Sequence, residues 1–325
     1  MGKKEFVVRR ILQIVVLYFV VATMLFALFK LSPGNPLVNF VSLDMTPQQM
    51  AAVSAAYGLN DPWYIQYGKW LVNVATLNFG VSYSLNQPVW DVISHRFWNT
   101  FILMDVALII GYLFALPFGA YLAWNRGSTR EQFGVVVGLI SRSAPVFWTG
   151  LIAVWLLSVK WGLFPSGGMQ VATVEYPSSF ALYTSVDFLR HLVLPSLVQG
   201  FYYFSLPLLL MRNSMLDVLN EDFVEFAELK GIGSRRVMLW HAARNALLPI
   251  VTAFATGSAR AVGLSVVIET VFDWPGLGRT LVYAVTHNDY PLAMGSFLLL
   301  AMIVIFANFL ADLAYGYLDP RVTYN

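Results

Sequence analysis

The chain has 325 residues, of which 58% are hydrophobic and 12% charged, with a formal net charge of +2. A soluble globular protein carries roughly 25% charged residues, so the composition excludes an ordinary water-soluble domain, and so small a net charge gives no reason to expect a nucleic-acid partner. Cysteine is absent, which excludes disulfides, thiolate metal sites and a cysteine nucleophile. Apolar blocks of about 20 residues recur, the length a helix needs to cross a hydrocarbon core of roughly 30 Å. An all-α integral membrane protein is expected.

In chain order, a first span is expected over residues 11–31, behind Lys3, Lys4, Arg9 and Arg10, a cluster that places the N-terminus inside. The run is too long for a cleaved signal peptide and no small-x-small site follows it. Residues 32–99 are polar and form an expected external cap, with Pro33-Gly34-Asn35-Pro36, a helix start at Thr46-Pro47 and an amphipathic run over 62–76. Its aromatics (Tyr57, Trp63, Tyr64, Tyr67, Trp70, Trp90, Trp98) read as membrane-interface residues in preference to ligand contacts. Span two covers 100–124 around Pro117, and a short loop with Arg126 and Arg130 follows.

Span three covers 135–159, with Ser143-Ala144-Pro145-Val146-Phe147-Trp148 near its start. A second outer loop fills 161–190. Span four covers 191–215, with Pro195 and Pro207. Span five covers 247–270, a third outer loop 272–290, and span six 291–315. Twelve Lys and Arg fall on the inner side of this arrangement and six on the outer, leaving Arg142 and Arg260 at membrane depth. That asymmetry gives six spans with both ends inside.

The inner segment between spans four and five, 217–249, is the most ordered polar stretch. Asp222, Glu225 and Glu228 precede Lys230, Arg235, Arg236 and Arg244. Gly231-Ile232-Gly233-Ser234 reads as a helix stop followed by a serine able to cap a new helix. Two short helices joined by a tight turn are expected, as a docking element for a partner protein.

Other chemistry is missing. The sequence holds no GxxxxGK[ST], HExxH or GxSxG, so no nucleotide-binding loop or common hydrolase centre is expected, and no catalytic, cofactor or metal residues are assigned. His95, His191, His241 and His287 stand far apart near span ends and read as interfacial polar residues.

Against this background Glu225-Phe226-Ala227-Glu228-Leu229-Lys230-Gly231, closing at Leu248-Pro249, resembles the EAA loop of prokaryotic ABC importer permeases. The branch it looks most like is the dipeptide/oligopeptide/nickel type, B-type subunit. Matching segments run in order along nearly the whole chain. They are Leu31 to Pro36, Tyr57-Gly58-Leu59-Asn60 with Gln66-Tyr67, Asn78-Phe79-Gly80, Ser143 to Trp148 and Arg244-Asn245-Ala246-Leu247. After these come Glu269-Thr270-Val271-Phe272, Trp274 to Arg279, Asp289-Tyr290-Pro291 and Asp319-Pro320-Arg321. Two departures stand out: the Gly231–Pro249 spacing exceeds the general pattern, and Phe226 occupies a position where the family has a small residue.

The resemblance implies a permease subunit pairing with a second permease, two cytoplasmic ATPase subunits that hold ATP and magnesium, and an external solute-binding protein. It makes Phe223, Glu225, Phe226, Ala227, Glu228, Lys230 and Gly231 the ATPase-coupling residues. Phe223, Phe226 and Ala227 would be the apolar face in the ATPase groove, with Glu225 and Glu228 at its rim. Peptides are the implied substrate, with oligosaccharides or chelated nickel as alternatives in the same branch. A stand-alone secondary transporter or channel is the rival of another class; it would need an ion relay within the spans and no ordered inner loop.

One group fits no family role. Arg260 lies 11 residues beyond Pro249, about 16 Å along a helix, where a charge costs at least roughly 2.5–3.5 kcal/mol unless it faces protein or water. Either it lines the path beside Gly257 and favours anionic substrates, or it pairs with Asp312, Asp105, Glu269 or an acid of the partner permease. The small residues Ala253, Gly257, Ala261, Gly263 and Ser265 allow close helix approach in the same span. Arg142 is expected to reach back to the interface.

Overall fold

The computed structural model describes residues 3–31 and 61–318. The expected features at Pro33–Pro36, Thr46-Pro47, Tyr57–Asn60 and Asp319–Arg321 lie outside these residues, as does the side chain of Arg260. The described chain is predominantly helical, with one isolated antiparallel bridge between Val81 and Pro88. Its helices are α1 (Lys3–Leu31), α2 (Trp63–Ala75), α3 (Val89–Trp124), α4 (Thr129–Ser143), α5 (Val146–Ala153), α6 (Ser179–Tyr183) and α7 (Val186–Val218). They continue with α8 (Asp222–Leu229), α9 (Ser234–Arg236), α10 (Ala243–Ala246), α11 (Leu248–Val271), α12 (Leu277–Thr286) and α13 (Tyr290–Leu318). Helix α5 runs on as a π-helical stretch, Val154–Lys160, and a second π stretch, Val237–Ala242, joins α9 to α10.

By length and composition, four helices can each cross a membrane: Val8–Leu31, Val89–Trp124, Val186–Val218 and Tyr290–Leu313. A fifth candidate is the pair α4 and α5, but its two arms meet at 102°. The expected straight third span over 135–159 is therefore broken. Pro145 has no N–H to donate and disfavours a helical conformation at the residue before it; Ala144 is accordingly extended (φ −67°, ψ 130°). The described residues thus carry four to five apolar spans, not six demonstrated ones.

Helix starts follow local chemistry. Ser128 caps α4 by accepting the Glu131 N–H at 3.2 Å, and Ser185 caps α7 by accepting the Phe188 N–H at 3.0 Å, as N-cap serines do. The Ser185 cap sets the start of α7 five residues earlier than expected for span four.

Two compact units divide the described residues, one comprising 3–31, 61–100 and 275–309 and the other 101–274 and 310–318. In the first, α2 packs on α1: Trp70 Nε1 donates to the Ala22 carbonyl at 3.1 Å and the Tyr67 hydroxyl meets Thr23 Oγ1 at 2.8 Å. These two aromatics tie α2 to α1, whereas Trp63 and Tyr64 are exposed. The expected third outer loop contains an amphipathic helix, α12, buried along Leu277, Gly278, Thr280 and Ala284. Asn99 Nδ2 donates to the Pro275 carbonyl, Thr100 Oγ1 accepts the Leu277 N–H, both at 2.8 Å, and Arg96 Nη1 reaches Thr280 Oγ1 at 2.6 Å.

In the second unit α7 is the hub, contacted by α4, α5, α10 and α11. Its approach to α3 is set by glycine. A Cβ on Gly111 would stand 2.7 Å from the Gly200 carbonyl oxygen, and one on Gly119 2.6 Å from the Leu208 oxygen. Neither position tolerates a side chain, the close backbone packing that membrane helices use. The expected small-residue span, α11, behaves unevenly: Ala261 and Ser265 are fully buried, whereas a Cβ on Gly263 would meet nothing within 4 Å. A core of Phe188, Leu192, Leu194, Ile268, Phe272 and Trp274 closes one end of this unit, with the Phe188 and Trp274 rings 5.6 Å apart.

Candidate coupling surface

Helix α8 is short, eight residues, and its placement depends on its ends. At its C-terminus Lys230 is the cap and Gly231 adopts φ +74°. The Gly231 N–H bonds the Glu228 carbonyl at 2.8 Å, and the Ile232 N–H bonds that of Ala227 at 3.3 Å. This pair of bonds is the Schellman closure, which satisfies two carbonyls the helix would otherwise leave open. The expected helix stop at Gly231 is thus present. The expected serine cap is not: Gly233 is the N-cap of α9 and Ser234 its first helical residue, without a side-chain capping bond. The expected second helix is also partly π-helical, over Val237–Ala242.

Helix α8 packs against that π stretch. Val224 and Ala227 point inward and are 3% and 6% exposed, while Val237, Ala242, Ala243 and Ala246 are buried on the other arm. The assignment of Ala227 to an outward docking face is therefore corrected. On a 3.6-residue repeat Val224 and Ala227 share one face, and that face is used inside the chain. Turned away from it are Phe223, Phe226 and Leu229, exposed by 40%, 63% and 75%. Leu229, absent from the sequence-derived set, completes this apolar stripe at i, i+3 and i+6. Glu225, Glu228 and Lys230 are exposed around it. Phe226 meets no internal crowding because it faces out.

Across the loop from this hairpin, Arg212 of α7 donates through Nε at 2.8 Å and through Nη2 to Glu131 Oε1, and the Gly127 N–H donates to Glu131 Oε2 at 2.6 Å. Glu131 is only 6% exposed. This clamp fixes the 125–131 turn to α7, the helix that leads into α8. Sequence reading missed it, since residues 81 positions apart carry no local pairing signal.

The residues grouped by sequence as path or ion-pair candidates lie on three helices, α3, α11 and α13. Gly257 faces α3, where a Cβ would stand 3.3 Å from Tyr112 Oη. Glu269 is fully buried near the end of α11, and Asp105 on α3 and Asp312 on α13 are half-buried. Arg142 sits 4.8 Å from the Tyr202 ring centroid, an exposed cation–π contact. His191 is 6% exposed, with Nδ1 2.9 Å from the Asp187 carbonyl and 3.2 Å from its carboxylate.

The first unit holds a second organised site. Asp289 is fully buried and its Oδ2 accepts from Ser82 Oγ (2.5 Å), Ser84 N (3.0 Å) and Ser84 Oγ (2.6 Å). Its Oδ1 accepts the Leu292 N–H at 3.2 Å, capping α13. Burial pushes the carboxyl upward, but the hydrogen bonds from Ser82, Ser84 and the local backbone outweigh it and hold the group below the usual aspartate range.

Long apolar helices interrupted by a helical hairpin that displays an unpartnered apolar stripe define a multi-pass membrane protein built to engage another protein. Comparison with known proteins names the class. Residues 115–324 match the family described as binding-protein-dependent transport system inner membrane component, and residues 3–104 match its N-terminal companion. The chain belongs to this family of prokaryotic inner-membrane ABC importer permeases. It is 34% identical over 321 residues to the oligopeptide transport system permease protein AppB of Bacillus subtilis, covering 98% of this chain and 99% of the relative. It is also 34% identical to the di/tripeptide transport system permease protein DppB of Pseudomonas aeruginosa and 32% identical to the dipeptide transport system permease protein DppB of Escherichia coli K12, with 98% coverage on both sides in each case.

Proposed function

We propose that the chain is one of two paired permease subunits of an importer that carries di- or oligopeptides handed over by a solute-binding protein. The observation that carries the coupling step is the exposed stripe Phe223, Phe226 and Leu229, held outward by the Val224/Ala227 face and the Gly231 closure. Fully burying one phenylalanine is worth about 1.5–3 kcal/mol, so three such side chains in a groove suffice to transmit motion through a helix of eight residues. Glu225, Glu228 and Lys230 frame the stripe and set its orientation. ATP and magnesium act on two cytoplasmic ATPase subunits. Their closure moves α8, and α7 and α11, on either side of the hairpin, carry that movement into the membrane.

The peptide substrate is supported by the relatives' names and the near-complete length match. We place the α8 hairpin inside and α12 outside, in a six-span arrangement with both ends inside, as the basic-residue asymmetry supports. The chain has no cysteine, so single-cysteine variants Ser234→Cys and Thr286→Cys test this directly. A membrane-impermeant maleimide applied to intact cells should label Thr286→Cys and spare Ser234→Cys; the opposite pattern overturns the placement. Uptake of labelled di- and oligopeptides by cells carrying the complete importer tests the substrate, and transport of oligosaccharides alone overturns it.

A further inference from the structure

A cleft of about 530 Å³ opens beside the α8 hairpin, lined by Arg236, Trp240, His241 and Arg244. Arg236, Trp240 and Arg244 are four residues apart in succession, which aligns them along one helical face. The π stretch that carries Trp240 and His241 is a geometry often found at functional sites. None of the four side chains makes a hydrogen bond or ion pair with another described residue, and no carboxylate lines the cleft. Trp240 is 67% exposed and Leu239 beside it 47%. Two guanidinium groups, an imidazole and an indole thus converge on one concavity.

The surface is distinct from the α8 stripe, and with α11 as the fifth span, as placed under Proposed function, it lies on the membrane side of the hairpin. Arg244 is four residues before α11 begins at Leu248, at most about 6 Å along a helix, and the headgroup zone on each side of the hydrocarbon is roughly 5–8 Å thick. Trp240 carries the amphipathic ring favoured at membrane–water interfaces. Basic pockets at this level suit phosphate-bearing headgroups, and guanidinium forks match phosphate oxygens in a bidentate manner.

We propose that Arg236, Trp240, His241 and Arg244 form a binding site for the phosphate of an anionic phospholipid. The two arginines hold the phosphate, and the Trp240 ring lies against the rest of the headgroup. The site anchors the arm of the hairpin that α8 packs on. That the cleft meets headgroups, and in which leaflet, rests on the placement under Proposed function.

The test uses the complete importer, delipidated in detergent and titrated with phosphatidylglycerol or phosphatidylcholine while bound lipids are counted by native mass spectrometry. Phosphatidylglycerol is expected to bind preferentially to the wild type. The Arg236→Gln/Arg244→Gln variant should lose that preference by on the order of fivefold per arginine, and Arg236→Lys/Arg244→Lys should keep part of it. Equal retention by wild type and the glutamine variant overturns the proposal. Full displacement of the lipid by millimolar inorganic phosphate assigns the cleft to a free anion and overturns it as well. Loss of the ATPase subunits from the glutamine variant in lipid-free detergent, with lipid preference intact, assigns the arginines to a protein contact and has the same consequence. Micelles have no sidedness, so peptide uptake can fail while the lipid preference holds, and the two readings fail separately.

Discussion

The Asp289 clamp and the α8 stripe are both short polar-flanked devices at the ends of long apolar helices, yet they are finished differently. Asp289 is fully enclosed, and both carboxylate oxygens accept hydrogen bonds from within the chain. Helix α8 satisfies its backbone at the Gly231 closure but leaves Phe223, Phe226 and Leu229 in the open. A buried polar group must find its partners inside the fold. Exposed apolar side chains grouped on one face are completed by something else. The first device is closed within the chain, and the second is left open for the partner proposed above.

That contrast is broken most forcefully at Asp289. Asp289→Ala removes the acceptor for two serine hydroxyls and a backbone N–H together with the cap of α13. Hydrogen bonds to charged groups are worth about 1.5–3 kcal/mol each, but they share one site and are not additive, so a loss of about 3–5 kcal/mol is expected. Thermal unfolding of the detergent-purified chain should show a large drop in Tm. An unchanged Tm would mean that the clamp is not structural. The pH dependence has a defined sign. The unfolded aspartate titrates near 3.9 and the folded one below it, so the unfolded state binds more protons in the interval between and stability rises with pH. The contribution is fully present above the unfolded value and is lost as pH falls through the folded one. Asp289→Asn should flatten this part of the Tm–pH profile.

The Arg212–Glu131 pair gives the next largest effect. Arg212→Ala leaves a nearly buried carboxylate with the Gly127 N–H but without its cation. Breaking a buried pair costs about 3–5 kcal/mol; because Arg212 is itself 24% exposed, about 2–3 kcal/mol is expected here. The double variant Arg212→Met/Glu131→Gln should recover part of the Tm loss. If it recovers none, the two residues do not act as a pair.

Phe226→Asp sharpens the other side of the comparison. It should leave Tm within about 0.5 kcal/mol of the parent in stability, because the position is exposed. It should weaken ATPase docking by the roughly 1.5–3 kcal/mol of one buried phenylalanine, about 10- to 150-fold. Binding of the purified ATPase subunit to the reconstituted permease measures it. A variant that docks normally removes Phe226 from the coupling surface.

How much of this was legible follows from the range of the forces involved. The apolar runs, the Gly231 stop and the amphipathic α8 are written in local residue order, and they emerged from periodicity and glycine placement. The break at Ala144–Pro145 was visible as a proline, but not its 102° consequence, because neighbouring helices decide which direction the chain takes. Ala227 was assigned to the wrong face: eight residues make little more than two turns, too few to fix which side faces inward before the π stretch is known. The Asp289 and Glu131 clamps join residues 205–207 and 81 positions apart, a pairing that a single sequence does not encode locally. Gly111, Gly119 and Gly200 passed as ordinary span residues until the carbonyls they touch were placed.

The smallest effect belongs to the turn that joins the two arms of the hairpin. Gly231 has open space around its Cα, with nothing within 4 Å of an added Cβ, so a methyl group there meets no neighbour. The obstacle is its φ of +74°, a left-handed conformation that costs an L-residue roughly 1–2 kcal/mol. Gly231→Ala should therefore lower the global Tm slightly and act mainly on α8, whose two terminal carbonyls lose their partners if the turn opens. Amide exchange at position 231 and at Ile232 should rise several-fold while the α12–α13 junction at Asp289 stays protected. Asparagine, which tolerates the left-handed region better than alanine, should lie between the two. If Ala and Asn behave alike, the strain lies in crowding and not in φ, and the open surroundings of Gly231 argue against that.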